Sequence, residues 1–247
     1  MKRKDFLHLT GICSLGLFTI PHLALGAAQD RFTLAQLIGK GNPEITGNSY
    51  RQKMHKQTKA AFLEMKAAAA KDNISIEVVS AYRSFERQKE IFEGKYKRFT
   101  GQGLSPKQAL SKIIEYSTIP GTSRHHWGTD IDIIQANTGA RPSSVLQEKH
   151  FYGNGQFCDM KVWLTKNASS FGFYEVYTKD ANRKGFSHEP WHFSYKPVSK
   201  PMLMAYKKLD IKSILQQEKI MGSEHFSDGF IAKYVQEHIL DINPELL

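Results

Sequence analysis

The sequence predicts an α+β fold, with a small antiparallel sheet flanked by helices and a helical addition at the C-terminus. Helical patterns and short strand patterns are interspersed between residues 50 and 196, which favours α+β. The tail from residue 201 to residue 247 contains two amphipathic helical patterns. A chain of 247 residues with 40% hydrophobic residues can bury an ordinary core, so disorder is excluded as its overall state.

The first half of the domain alternates between the two periodicities. Met54, Ala61, Met65 and Ala68 recur at helical spacing, whereas Ile74, Ile76 and Val78 alternate with polar residues as in a half-buried strand. Serine favours helix N-caps and proline favours the first helical turn. The predicted elements are a helix over 50–71, a strand over 74–80, a helix capped by Ser84 through Phe92, a helix from Ser105-Pro106 to Tyr116, and a strand over 129–134.

A long surface loop divides the second half from the first. Residues 135–158 show neither periodicity, and loops of that length in a compact domain are usually functional or mobile. Beyond the loop we predict a helix capped by Asp159 that stops near Phe171-Gly172, strands over 173–177 and 190–196, and tail helices over 201–220 and 228–240.

The N-terminus has the pattern of a secretory signal peptide. Lys2, Arg3 and Lys4 precede an apolar stretch that closes on Gly26-Ala27-Ala28. A retained membrane anchor is the alternative, but Pro21 and several polar residues interrupt the apolar run. We therefore expect export to the periplasm or cell envelope, without stable membrane insertion after cleavage. The predicted division is a signal peptide at 1–26, an N-terminal segment at 27–49, a main domain at 50–196 and a C-terminal helical extension at 197–247.

Charge and cysteine content narrow the class of protein. The formal net charge is +10, which indicates anionic surroundings such as nucleic acid, a membrane surface or an acidic wall polymer. Export would remove the chain from most nucleic acid, so no nucleic-acid partner is expected. Of the two cysteines, Cys13 would leave with the signal peptide, so Cys158 would have no internal disulfide partner.

Three polar clusters fall in predicted loops and strand ends, at residues 80–88, 123–132 and 188–195. The last two concentrate histidines and carboxylates, which are ligands of zinc. A catalytic zinc site needs three protein ligands and one open position. Four histidines outside these clusters have no partners by spacing and are expected to face solvent: His55, His150, His225 and His238.

One segment spells the HExxH signature of zincin metalloproteases, from His188 to His192. That signature works on a helix, where residues four apart share one face. Pro190 lies between the two histidines, and a proline inside a helix costs about 3 kcal/mol or more. The segment is therefore not expected to form a zincin helix.

A different combination of residues resembles a known family. Ser123-x-His125-x-x-Gly128-x-x-x-Asp132 with Glu189-x-Trp191-His192 is similar to the zinc signature of VanY-type D-alanyl-D-alanine carboxypeptidases. Tyr82-Arg83-Ser84 with Gln88, and the segment 163–173, resemble two further motifs of that family in the same order. The resemblance covers residues 50–196. It implies the zinc fold shared by lysostaphin-like, D-Ala-D-Ala and sonic-hedgehog-type proteins, with the zinc on the small sheet.

The resemblance also implies a role for each matching residue. Zn²⁺ would be held by His125, Asp132 and His192, and Glu189 would be the general base. Arg83 would hold the substrate carboxylate or the developing oxyanion, as a planar guanidinium can bind a carboxylate bidentately. The remaining substrate contacts implied are Ser84, Gln88, Ser123 and Trp191. The implied reaction is removal of the terminal D-alanine from peptidoglycan stem peptides.

Position 130 departs from the family pattern, which usually has a small or apolar residue there, whereas this chain has Asp130. In a strand, Asp130 and Asp132 point to the same side. Asp130 could be an outer partner of a ligand, an alternative ligand or a partner for Arg124, and the spacing from His125 favours Asp132 as the ligand.

The bond that is cut stays open at this point. A peptidase that cuts an L,D bond of a shortened stem peptide, or a peptidoglycan endopeptidase, could use the same zinc site. A non-catalytic wall-binding module with structural zinc is a rival from another class. Glu189 and Arg83 argue against that rival, since a structural site has no use for a free base.

Overall fold

The computed structural model describes residues 31–247, and the signal peptide predicted over 1–26 lies outside that range. The strands are β1 (Ile45–Thr46), β2 (Met54–His55), β3 (Ile76–Ser80), β4 (Asp130–Gln135), β5 (Phe173–Glu175) and β6 (His192–Tyr195). The helices are α1 (Leu34–Ile38), α2 (Lys56–Lys71), α3 (Phe85–Gly101), α4 (Pro106–Ile114), α5 (Cys158–Asn167), α6 (Lys196–Tyr206), α7 (Ile211–Gln217) and α8 (Asp228–Tyr234). Residues from Phe32 to Leu247 cluster into one compact unit.

The predicted small antiparallel sheet is present and has four strands in the order β3-β4-β6-β5. Every residue of β4 is buried, as expected for an inner strand that is covered on both faces. The register places Asp132 opposite His192 on β6 and opposite Ser80 on β3, next to an irregularity between Val78 and Ser80. The α+β prediction is confirmed, and the sheet brings residues from distant parts of the chain together. A separate two-stranded sheet joins β1 and β2.

Several element boundaries differ from the sequence prediction. The helix expected from Tyr50 begins only at Lys56, because β2 pairs with β1 just before it. The Ser84 cap is confirmed, but its helix continues to Gly101. Phe157, not Asp159, is the N-cap residue of α5.

The predicted tail helix over 201–220 is divided in two. It starts earlier, at Lys196, and ends at Tyr206, after which α7 begins. Asp210 causes the new start, since its carboxylate accepts a hydrogen bond from the backbone N–H of Ser213 and caps α7. The last predicted helix, over 228–240, is α8 continued by a π-helical turn over 235–239.

Two hydrophobic clusters support the sheet and helices. One contains Phe62, Met65, Ile131, Trp163 and Phe193, from α2, β4, α5 and β6. The other joins α1, α3 and α4 to the C-terminal helices, so the tail shares its core with elements at the start of the described chain. The domain division at residues 49 and 196 stays a prediction. Within residues 31–247, the helices are too short or too polar to cross a bilayer.

Candidate active site

Three buried side chains form a group that could hold a metal ion: His125, Asp132 and His192. Their candidate ligand atoms all lie within 4.8 Å of one another. His125 Nε2 is 3.5 Å from one carboxylate oxygen of Asp132, and His192 Nδ1 is 3.8 Å from the other. Two imidazole nitrogens and a carboxylate oxygen are a donor set typical of a catalytic zinc site. The residues present therefore fit a zinc ion.

Local backbone geometry sets the spacing between these ligands. His125 lies in a 3-10 turn over Arg124–Trp127 that ends at Gly128, where φ is +68°. A Cβ atom at Gly128 would lie 2.7 Å from the backbone nitrogen of His55, so only glycine fits. Directly after this turn the chain enters β4, which carries Asp132, and the β4–β6 register supplies His192.

Each histidine is oriented by a hydrogen bond on the nitrogen that faces away from the group. His125 Nδ1 donates to the carbonyl of Ala81 at 2.7 Å, which leaves Nε2 for the group. His192 Nε2 donates to Asp130 Oδ2 at 3.0 Å, which leaves Nδ1 on the side of Asp132 and Glu189. Zinc-binding histidines are commonly oriented in this way, through an outer carbonyl or carboxylate.

The acidic groups around His192 favour a positive charge at this place. Burial opposes the charged imidazole, but hydrogen bonds to Asp130 and Glu189 raise the pKa of His192 to about 10. Burial raises the pKa of Asp132 to about 6. For His125, burial and the nearby Arg83 lower the pKa well below its usual value. Without a metal, the nearby carboxylates stabilise an added proton on His192. A divalent cation bound in the group would supply this positive charge in place of the proton.

Glu189 lies beside this group without belonging to it. Its Oε2 is 2.9 Å from His192 Nδ1, and its side chain remains partly exposed to the cleft. The backbone N–H of Glu189 donates to Tyr177, in the segment that follows β5. A carboxylate is thus held next to the metal group, on the wall of the same cleft.

The helix that the zincin signature requires is not formed. Residues 188–191 are turn and irregular structure, and His192 begins β6. His188 Nε2 instead lies 2.9 Å from a carboxylate oxygen of Glu175, and its Nδ1 is 3.3 Å from Glu148. His188 and His192 do not converge, in agreement with the effect expected of Pro190.

We expect His188→Gln to retain metal binding, because its nitrogens are directed to Glu175 and Glu148 and not to the metal group. Zinc content after dialysis should match that of the unchanged protein. The matched variant Asp132→Ala should lose zinc. Loss of zinc from His188→Gln with retention in Asp132→Ala would contradict this assignment.

The metal group opens into a cleft of about 670 Å³. Arg83, Ser123, Glu189 and Trp191 line it together with the three candidate ligands. The long loop predicted over 135–158 contributes Leu146, Gln147 and Glu148 to one wall. Tyr177 also lines the cleft and meets the ring of His192 edge-on, a contact that no spacing in the sequence indicated.

Arg83 is fixed in place by neutral partners. Its Nη1 donates to Gln88 at 2.8 Å and its Nη2 donates to Ser80 at 3.1 Å, whereas the buried Nε has no partner among the described residues. Within residues 31–247, no carboxylate forms an ion pair with this guanidinium. A partly buried guanidinium without an ion-pair partner suits an anionic ligand.

Two of the expected substrate contacts lie outside the cleft lining. Gln88 is fully buried and donates to the carbonyl of Thr118, so its amide connects Arg83 to the chain after α4. The hydroxyl of Ser84 accepts a hydrogen bond from the backbone N–H of Arg87 as the cap of α3. Gln88 thus holds Arg83, and Ser84 caps the helix that carries Gln88.

His126, which directly follows the candidate ligand His125, supports the backbone of this site. Its Nε2 accepts from the N–H of Gly121 and its Nδ1 donates to the carbonyl of Arg83, which requires the neutral ring. Burial accordingly lowers the pKa of His126 to about 4. Gly39 packs directly on the ring, where a Cβ atom would approach to 2.4 Å.

Comparison with known proteins identifies the family. The family model VanY, described as D-alanyl-D-alanine carboxypeptidase, matches residues 51–198, which is more than half of the chain. The chain belongs to the VanY family. The carboxypeptidase family and the candidate metal group together support a peptidase.

Curated relatives of this VanY-family chain agree with the assignment. A D-alanyl-D-alanine carboxypeptidase of Enterococcus faecalis is 29% identical over 153 residues, which are 62% of this chain and 52% of that protein. The putative carboxypeptidase YodJ of Bacillus subtilis is 29% identical over 143 residues, covering 58% of this chain and 46% of that protein. The matches thus span about half the length of these two relatives.

Solved structures share the VanY-family fold. VanYB in complex with D-alanine-D-alanine superposes with a TM-score of 0.51 at 24% identity, covering 73% of this chain and 92% of that one. A VanY D,D-pentapeptidase variant from a VanB-type resistance cassette, in complex with Zn(II), has a TM-score of 0.50 at 23% identity, covering 70% and 90%. At this level of identity the likeness concerns the fold.

Proposed function

We propose that this protein is an exported, zinc-dependent D,D-carboxypeptidase that removes the terminal D-alanine from peptidoglycan stem peptides. The observation that carries the proposal is a guanidinium without an ion-pair partner among the described residues, in the same cleft as a three-ligand metal group and the carboxylate of Glu189. A carboxypeptidase must hold a C-terminal carboxylate close to the bond that it cuts. Membership of the VanY family supports the substrate class.

The metal would be held by His125, Asp132 and His192. A zinc ion bound there supplies a Lewis acid that polarises a carbonyl and lowers the pKa of water toward neutrality. Three protein ligands leave a coordination position free for substrate or water. Burial of the ligand set keeps bulk solvent from weakening these interactions.

Two side chains of the protein act on the substrate: Glu189 transfers a proton, and Arg83 binds the C-terminal carboxylate. Glu189 accepts a proton from the water that attacks the scissile carbonyl and delivers it to the amine as the C–N bond breaks. Arg83 binds the C-terminal carboxylate of the substrate at the cleft wall, with Gln88 and Ser80 keeping the guanidinium in one orientation. Ser123 and Trp191 line the cleft and are proposed substrate contacts, while Gln88 acts through Arg83 and Ser84 caps the helix that carries Gln88.

The test is hydrolysis of defined stem peptides by the purified, zinc-loaded protein, followed by mass spectrometry. Release of one D-alanine from the pentapeptide, and no product from the tetrapeptide, is the expected result. Product from the tetrapeptide would instead establish an L,D-carboxypeptidase, and cleavage of cross-linked peptides an endopeptidase. Zinc binding without turnover of any peptide would support a non-catalytic wall-binding module and overturn the proposal.

A further inference from the structure

Asp130 lies at the centre of a buried hydrogen-bond network behind the metal group. Its Oδ2 accepts from Arg124 Nε at 2.8 Å and from His192 Nε2 at 3.0 Å. Its Oδ1 accepts from Ser194 Oγ at 2.6 Å and from Thr129 Oγ1 at 2.9 Å. All five residues are buried, with Asp130 fully so. Each carboxylate oxygen thus accepts two hydrogen bonds, and all four donors come from side chains.

The same network links all three segments that carry the candidate ligands. Arg124 precedes His125 in the 3-10 turn, Asp130 shares β4 with Asp132, and Ser194 shares β6 with His192. Arg124 also donates from Nη2 to Ser194 at 2.8 Å, which closes a ring of hydrogen bonds across the turn and both strands. A displacement of any one segment would break a buried, charge-assisted hydrogen bond.

We propose that Asp130, held by Arg124 and Ser194, is a positioning residue that orients His192 for metal binding and fixes the spacing of the three ligands. This inference rests on the metal site of the proposed function. Asp130 acts through His192 and does not itself join the metal group.

The physical basis is the choice between the two nitrogens of one imidazole ring. A histidine that binds a metal keeps its remaining ring hydrogen on the other nitrogen. Asp130 is an acceptor for that hydrogen at Nε2, which leaves the lone pair of Nδ1 on the side of Asp132. The carboxylate also increases the basicity of the ring as a ligand.

Arg124 is the reason that a carboxylate is tolerated at this depth. An uncompensated charge at a fully buried position would be strongly destabilising, and Arg124 supplies the opposite charge at 2.8 Å. Its guanidinium in turn lies over the ring of Trp127, 4.9 Å from the centroid. Replacement of a buried ion pair by apolar residues is often neutral for stability, so stability alone gives no reason for the pair to be there.

The experiment measures the affinity for Zn²⁺ by competition with a chromophoric chelator, in the full chain freed of metal. The double variant Arg124→Met/Asp130→Ala removes both charges together and avoids an unpaired one. We expect it to bind zinc about 10- to 100-fold more weakly, the range typical for loss of an outer partner of a ligand. The visible spectrum of the Co²⁺-loaded variant should also change, because ligand orientation changes.

Two further variants distinguish an effect on the orientation of His192 from an effect on the stability of the protein. Asp130→Asn retains an oxygen that can accept from His192 Nε2, and it should lose less affinity than the double variant. Lys161→Met/Glu175→Gln removes a part-buried ion pair between α5 and β5 that contacts none of the ligands, and it should leave zinc affinity within about twofold. Circular dichroism of the metal-free proteins shows which variants are folded.

A folded double variant with the affinity and the Co²⁺ spectrum of the unchanged protein would overturn the inference. If the double variant does not fold, Ser194→Ala replaces it, since that change removes one donor to Asp130 and is expected to weaken zinc binding severalfold. Unchanged affinity in Ser194→Ala would then overturn the inference. Absence of zinc binding by the unchanged protein would instead refute the proposed function, so the two failures are distinguishable.

Discussion

Glu189→Gln is expected to lower kcat for release of D-alanine by about 10²- to 10⁴-fold while zinc remains bound, the range typical for loss of a general acid–base group. The amide has nearly the shape of the carboxylate but cannot accept a proton from water at neutral pH. Zinc should be retained because Glu189 lies outside the metal group, and its carboxylate contacts that group at His192 Nδ1. Turnover of a pentapeptide and metal content, measured on the same preparation, check both expectations.

Glu148→Gln is the matched control for that variant. Glu148 lies on the wall of the same cleft, so the substitution removes one negative charge from the same surroundings. Its carboxylate pairs with Lys179 and is well exposed, and turnover should change by less than about tenfold. Full turnover in Glu189→Gln, or an equal loss in both variants, would contradict a specific role for Glu189 in proton transfer.

The metal group was predicted through the resemblance to the family's signature, and the structure gives that signature a direct geometric meaning. A turn that must end in glycine, followed immediately by a strand, brings His125 and Asp132 together at short sequence distance. His192 is 60 residues further on, and only the pairing of β4 with β6 brings it close. Pro190 was enough to predict that the HExxH segment would not be helical, since the effect of proline on a helix is local.

Interactions between distant segments explain what the sequence did not indicate. His55 and His238 were expected to face solvent, but both are buried. His55 is the N-cap residue of α2. His238 stacks on Tyr234 and meets the ring of Phe186 edge-on, and Phe186 is too far away in the sequence for any spacing pattern to indicate that contact. The ring of hydrogen bonds around Asp130 likewise depends on strand register, so the sequence could only leave three roles open for that residue.

The roles of Gln88 and Ser84 show a limit of motif-based reasoning. A motif records which residues occur together around a site, but it does not separate those that touch a ligand from those that hold such a residue in place. Gln88 is fully buried between Arg83 and Thr118, and Ser84 caps the helix that carries Gln88. The guanidinium of Arg83 is therefore held in one orientation at the cleft wall. This fixed orientation matters if Arg83 binds the carboxylate of a peptide.

Arg83→Lys is expected to lower kcat/KM for peptides with a free C-terminus by about 10²-fold or more, because loss of a buried, charge-assisted contact to a carboxylate typically costs 2–5 kcal/mol. Lysine keeps the charge but not the planar set of donors that Gln88 and Ser80 orient. Most of the loss should appear in KM, since the carboxylate is bound before and during the reaction. Kinetics on a synthetic pentapeptide check the magnitude.

An amidated pentapeptide separates recognition of the carboxylate from general damage to the site. The unchanged protein should strongly prefer the free acid, since an amide leaves the Arg83 charge without a partner. In Arg83→Lys that preference should shrink, because the acid loses its bidentate contact while the amide had little to lose. Gln88→Leu should reduce the preference less, as it removes the support of Arg83 and not the guanidinium. An equal loss of kcat/KM for the acid and the amide in Arg83→Lys would mean that Arg83 stabilises the site without recognising the C-terminal carboxylate.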